Sequence, residues 1–124
     1  MVRKICLDSD IIIGILNNDE ATKIAIKSLD ADFYLTSVNV FEVWFGRKNN
    51  EPIFELLQRL HPLILDDKSS RLAAEILREL KKRGELIDMK DLFIAAICIN
   101  NEIELFTYNK KHFERLQKYG LKLA

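Results

Sequence analysis

The sequence predicts an α/β fold: a mostly parallel sheet of four to five strands with helices on both faces. Two observations predict it. Short apolar runs at 5–7, 33–36, 63–65 and 104–107 alternate with longer segments whose apolar residues recur at helical spacing. Such alternation packs as a parallel sheet covered on both sides. In addition, 92–99 is apolar on every side, the mark of a helix enclosed by the rest of the fold. The 124 residues are expected to form a single domain over 1–124, long enough to bury a core.

The first strand, 5–7, leads into a short helix over about 10–16, and Asn17-Asn18-Asp19 is turn chemistry. A helix over about 20–29 carries Ala21, Ile24, Ala25 and Ser28 at helical spacing, and the strand 33–36 follows. The next helix, 37–45, stops at Gly46; its Val40, Phe41, Trp44 and Phe45 are expected to lie mostly in the core. Pro52 in the first turn and Pro62 beyond the end bracket a helix reaching residue 60, with Ile53, Leu56, Leu57 and Leu60 on one face. After the strand 63–65, Asp66 or Asp67 caps a long helix with the stripe Leu72, Ala73, Ile76, Leu77 and Leu80, ended by Gly84. Asp88 caps the buried helix 90–100. The strand 104–107, a helix over 110–117 with Phe113 and Leu116 inside, and an edge strand within 119–123 complete the chain.

Nineteen basic residues balance nineteen acidic ones, which excludes a generally basic nucleic-acid binder. Any contact with RNA or DNA must be local. The basic clusters are Arg47-Lys48, Lys81-Lys82-Arg83 and Lys110-Lys111, each also readable as a solvated helix end. Cys6 and Cys98 sit inside apolar runs and read as free buried thiols. The segment 1–4 is too short for a signal peptide, and 92–99 is too short to span a membrane. A soluble, cytoplasmic protein is expected.

The acids carry the functional signal. Asp8 follows the first strand directly, and the carboxyl ends of strands are where open α/β sheets bind ligands. It also reads as a helix N-cap. Asp10 reads as a cap or a first-turn acid favoured by the helix dipole, the cap being preferred. Glu42 lies among Val40, Phe41, Val43 and Trp44; the bland reading makes it the partner of Asn39 in a capping box. Asp91 opens the buried helix, and with Asp88 available as its cap, Asp91 is free for another task. Asn109 follows the strand 104–107. On this topology Asp8, Glu42, Asp91 and Asn109 converge at one sheet edge.

Three carboxylates and an amide oxygen are hard donors that suit Mg²⁺ or Mn²⁺ rather than zinc. His61 and His112 show no metal-ligand spacing, and the sequence has neither a glycine-rich phosphate loop nor a G-x-S-x-G elbow. Crowded carboxylates repel one another and hold protons unless a cation intervenes. A divalent ion at such a cluster favours phosphodiester hydrolysis.

Together, ICLDSDIIIGIL, TSVNVFEVWFG, GELIDMKDLFIAAICINN and LFTYNKKHFERL resemble, in order and spacing, a PIN domain, and more narrowly the VapC-type toxins of prokaryotic toxin–antitoxin pairs. The resemblance covers essentially the whole chain. It implies a three-layer α/β/α fold, an acidic pocket holding Mg²⁺ or Mn²⁺, endoribonuclease activity, inhibition by a small VapB-like antitoxin, and homodimers. By position, Asp8, Glu42 and Asp91 are similar to the family's three acids, and Asn109 to its fourth polar residue. The implied roles give Asp8 and Asp91 the metal, Glu42 the attacking water, and Asn109 a hydrogen bond that fixes an acid or a metal-held water. Ser9 and Thr107 would assist through their hydroxyls, and Arg47 and Lys48 would contact the RNA backbone. Two departures stand out: Asp10 replaces a small polar residue, and His112 stands near the place of an acid. They imply one firm metal position and a weaker second, to which Asp88 would contribute. An antitoxin groove or a dimer surface is the alternative use of Val40, Phe41, Trp44 and Phe45.

Two other readings use the same residues. Asp8-Ser9-Asp10 after a strand is the D-x-D of a haloacid-dehalogenase-like phosphatase, a fold that generally needs a longer chain. A non-catalytic module would keep the fold and bind RNA or protein through a metal-poor pocket. Turnover with added Mn²⁺ or Mg²⁺ separates these readings.

Overall fold

The computed structural model describes residues 2–48 and 50–124. Among the described residues there are five strands, β1 (Arg3–Leu7), β2 (Ala31–Thr36), β3 (His61–Leu63), β4 (Glu104–Phe106) and β5 (Lys122–Leu123). All pair in parallel, in the order β3-β2-β1-β4-β5. The helices between them are α1 (Ser9–Leu16), α2 (Glu20–Ser28), α3 (Ser37–Gly46), α4 (Glu51–Leu57), α5 (Asp67–Lys82), α6 (Met89–Asn100) and α7 (Lys110–Phe113). A 3₁₀ segment, Glu114–Tyr119, continues α7. None of the described helices is long and apolar enough to cross a membrane.

β1 takes the central place because it alone tolerates cover on both faces. Ile5, Cys6 and Leu7 are all buried, as a continuous apolar run in a doubly covered parallel strand requires. Alternate side chains then divide between two cores. Cys6 joins Leu105 and the apolar stripes of α5 and α6 on one side. Ile5 and Leu7 join Ile11, Ile12, Val43 and Ile53, from α1, α3 and α4, on the other. Cys6 and Cys98 are free thiols within the same core, as expected.

Several boundaries differ from expectation. β3 lies two residues earlier than 63–65 and contains Pro62, pairing His61 with Tyr34 of β2. Proline is tolerated there because β3 is at the sheet edge, where one N–H has no ladder partner. The expected helix 110–117 is α-helical only to Phe113 before tightening to 3₁₀, although Phe113 and Leu116 are both buried. On α2 the buried residue is Thr22, and Ile24 faces water.

The largest correction concerns α3. Phe41, Trp44 and Phe45 are exposed by 60%, 41% and 81%, so only Val40 of the four is drawn towards the core. The physical reason is the width of the helix's apolar surface. Val43 and Asn39 already fill the inward stripe, which leaves the aromatic face no layer to pack against.

Thr22 also ties the N-terminal helices to the segment that follows β4. Its hydroxyl lies 2.7 Å from Asp19 Oδ2 and 2.6 Å from the Tyr108 hydroxyl. Gly14 makes room for this, since a Cβ there would stand 2.6 Å from Thr22 Oγ1. Gly14→Ala is therefore expected to lower stability by about 1–3 kcal/mol through overpacking, more than the roughly 1 kcal/mol gained in helix propensity. Urea denaturation measures it, and an unchanged or raised midpoint would contradict the crowding.

Candidate active site

The site begins where β1 ends. The Asp8 N–H donates to the Phe106 carbonyl at 2.9 Å, which completes the β1–β4 ladder. Asp8 then caps α1, its Oδ1 accepting from the Ser9 N–H at 2.8 Å. Its Oδ2 accepts from the Thr107 hydroxyl at 2.7 Å. The cap and the site are thus one residue, and Asp10 is not the cap. Burial raises the Asp8 pKa, against hydrogen bonds from Thr107, Ser9 and Asn39 that favour the carboxylate.

Glu42 reaches the same edge from α3. The Ser9 hydroxyl donates to its Oε1 at 2.8 Å, and the Asn39 side-chain N–H donates to Ser9 Oγ at 2.9 Å. Asn39 Oδ1 in turn accepts from the Thr36 N–H at 2.9 Å and the Thr36 hydroxyl at 2.7 Å. This overturns the capping box of Asn39 with Glu42. The box is made by Thr36 and Asn39, because Thr36 is the N-cap and Asn39 stands at the third helical position. Glu42 is left over from helix construction. The direction of the chain is fixed: Asn39 commits its proton to Ser9, so Ser9 commits its own to Glu42.

Asp91 enters from the first turn of α6. Asp88 is the N-cap, accepting from the Lys90 N–H at 2.8 Å and the Asp91 N–H at 3.3 Å. The Asp91 carboxyl is pushed up to about 6, first by burial and then by the charges of Asp8, Asp88 and Glu42. His112 opposes the shift, its Nδ1 lying 3.7 Å from Asp91 Oδ2. Four acids from three separate elements therefore feel one another at one sheet edge.

Asp10 is a fifth. Its Oδ2 accepts from the Tyr108 N–H at 3.1 Å and lies 3.4 Å from the Thr107 hydroxyl. Its Oδ1 is buried without a partner. Burial and the charge of Asp8 raise its pKa. The sequence reading left Asp10 as a cap; the signal that pointed inward was its place two residues after a strand-ending acid. Asn39 was also missed as a site residue. A buried asparagine three positions after a β-strand threonine was its signal.

The remaining expected residues are less engaged. Asn109 is exposed; its N–H donates to Thr107 Oγ1 at 3.0 Å, but its side-chain amide bonds none of the acids. Arg47 donates to Asn17 Oδ1 at 2.9 Å, and Lys48 is exposed.

Among the described residues no group of three or more His, Cys, Asp or Glu side chains is already arranged to hold a metal ion. The donor set nevertheless fits one. Its oxygens are hard, the unpartnered Asp10 Oδ1 is buried, and Asp10 and Asp91 are pushed up by burial and then by the charges of neighbouring acids that a cation would offset.

Fold and site together define a class: α/β/α proteins with an acidic pocket at the carboxyl edge of a parallel sheet. A family profile for the PIN domain matches residues 5–119, and the chain belongs to the PIN domain family. It is similar to Ribonuclease VapC3 of Methanocaldococcus jannaschii, 39% identical over 92 residues that cover 73% of this chain and 94% of that protein. Ribonuclease VapC1 of the same organism is 42% identical over 74 residues, covering 59% of this chain and 54% of its own length. The fold is shared with the structure of VapBC2 from Rickettsia felis bound to a promoter DNA fragment. That match has a TM-score of 0.85 and 24% identity, covering 98% of this chain and 97% of that one.

Proposed function

We propose that this chain is a metal-dependent endoribonuclease and the toxin of a toxin–antitoxin pair. The observation that carries the reading is the convergence of Asp8, Glu42 and Asp91, with Asp91 pushed up to about 6 by burial and then by its acidic neighbours. The names of the relatives, both ribonucleases, support the substrate class. Asp8 and Asp91 would hold Mg²⁺ or Mn²⁺, with Asp10 and Asp88 beside them. A divalent ion, when bound, neutralises the carboxylates, acidifies water and offsets charge developing at phosphorus.

The protein's own groups do the rest. Thr107 and the Ser9 N–H aim the two oxygens of Asp8. Ser9 occupies one oxygen of Glu42, leaving the other to accept a proton from the attacking water. Asn109, exposed two residues after Thr107, would bond an acid or a water through its amide once RNA is seated. Lys48 and Arg47 would contact the RNA backbone.

Purified protein incubated with mixed RNAs should cut in Mn²⁺ or Mg²⁺ and lose all cutting in excess chelator. Failure to cut, together with no divalent binding by calorimetry at millimolar concentration, would replace this reading with a non-catalytic binding module. Two observations favour the module: the side-chain amide of Asn109 caps no helix, and among the described residues no acidic group is already arranged to hold a metal. A phosphatase using Asp8 and Asp10 is disfavoured because the PIN domain profile matches nearly the whole chain, residues 5–119.

The exposed aromatic face of α3 is assigned to the antitoxin. Phe41 and Phe45 stack with ring centroids 5.9 Å apart, and Phe54 of α4 is 57% exposed. Exposed aromatics in a cluster mark a protein-binding surface. The double variant Phe41→Ser/Phe45→Ser should bind its co-expressed antitoxin at least about 10-fold more weakly, with RNA cleavage retained. Equal antitoxin affinity in a titration would move the partner elsewhere. The homodimer implied by the resemblance would be read from the same samples by light scattering.

A further inference from the structure

A recess of about 640 Å³ opens off Asp88 and Asp91 and extends to side chains that the proposed chemistry does not use. Its two sides differ in charge. Asp88 and Asp91 form one side, and Lys111 and His112 face them from α7. The rim is apolar, made by Leu86, exposed by 90%, with the half-buried Ile87 beside it. The wall is held in place by Arg115, whose guanidinium donates to the Leu86 carbonyl and lies 3.5 Å from Glu85 Oε2. Lys111, by contrast, has no hydrogen bond or ion pair among the described residues and is exposed.

An anion entering this recess is repelled by the acids and drawn to the opposite side. A flat apolar group entering with it meets Leu86 and Ile87. A nucleotide combines both features, and its volume is of the scale such a recess takes. Base faces reach an apolar rim of this kind only when they are unstacked, the state in which RNA is usually read by proteins.

We propose that this recess receives the single unpaired nucleotide next to the scissile phosphate, its flanking phosphate on Lys111 and His112 and its base on Leu86 and Ile87. The position beside the scissile bond rests on the ribonuclease reading; binding of a nucleotide in the recess does not. The recess therefore selects unpaired RNA and sets the base preference at one position beside the cut.

Two arms test it. In the first, the wild-type chain in excess chelator is titrated with AMP, UMP, GMP, CMP or inorganic phosphate and followed by amide NMR shifts. Mononucleotides should move Leu86, Ile87 and Lys111 together, with at least one base preferred, whereas phosphate should move Lys111 and leave Leu86 unmoved. Lys111→Glu should weaken mononucleotide binding at least tenfold. Mononucleotides that move none of these amides, or no more of them than phosphate does, overturn the proposal. The second arm uses RNA cleavage. Lys111→Ala should raise KM about tenfold with kcat nearly kept, and Leu86→Ser should flatten the base preference at one flanking position. A wild type that cuts RNA beside variants with unchanged KM and unchanged preference overturns the recess while the ribonuclease reading stands. A wild type that never cuts yet binds mononucleotides there overturns the ribonuclease reading while the recess stands.

Discussion

Asp91→Asn is expected to abolish RNA cleavage, by at least about 100-fold, and at the same time to make the protein more stable. The loss follows from the removal of a charged oxygen donor at the proposed metal position. The gain follows from the raised pKa. A carboxyl pushed up to about 6 in the folded chain binds its proton more tightly there than in the unfolded chain. Between the unfolded value of 3.8 and about 6 the folded state holds more protons, so stability falls as pH rises through that window. Below it Asp91 is neutral in both states and costs nothing; above it the cost is complete. The asparagine should therefore raise Tm at pH 7.5 and leave it nearly unchanged at pH 4. With the side chain 22% exposed, solvent screening reduces the gain to about 1 kcal/mol, roughly 3–5 °C. Calorimetric scans at the two pH values decide it. A Tm that falls equally at both would mean that Asp91 holds the fold together and is not strained by its neighbours.

Asn39→Ala carries the largest expected loss of stability. Asn39 is fully buried, and its side chain satisfies the Thr36 N–H, the Thr36 hydroxyl and Ser9 Oγ. Alanine leaves those groups unpaired in the interior, at a cost of about 2–3 kcal/mol, or roughly 8–12 °C in Tm. Cleavage should fall as well, by about 10-fold or more, because Ser9 is then free to turn its proton away from Glu42. Ser9→Ala separates the two effects. It should stay within about 1 kcal/mol of wild type and yet share the loss of cleavage. If Ser9→Ala kept full activity, the Thr36–Asn39–Ser9–Glu42 chain would serve the fold alone.

Much of this was legible before any coordinates. Three of the four short runs, 5–7, 33–36 and 104–107, followed from apolar periodicity, and Asp8 stood out by its place directly after a buried strand, although the same place also made it the helix cap. Asp91 was visible because Asp88 already supplied the cap. The reading was weaker where a local rule had two solutions. Asn39 fits a capping box with Thr36 before it or with Glu42 after it, and only the true start of α3 decides between them. The same one-turn ambiguity hid Asp10, whose partners lie on the β4–α7 connection at the other end of the chain. Pro62 punctuates a helix or sits in an edge strand, and the sequence does not say which strand is the edge. Phe41, Trp44 and Phe45 look like core by composition; their exposure depends on whether another layer covers α3, which is a property of the whole fold.

The pairing of the central strand has a consequence in time. The bond that aims Asp8 comes from Thr107, 99 positions later, and the β4 ladder beside β1 begins only at Glu104. At synthesis rates of about 5–20 residues per second, Asp8 waits on the order of 5–20 s for these partners. Throughout that interval the nascent chain carries Asp8, then Glu42, then Asp91, without the strand that gathers them. A product stopped short of β4 therefore has the three acids and no working pocket. On the proposed function, the cell that makes this protein would meet its activity only once translation has passed β4, and an interrupted message would release fragments without it.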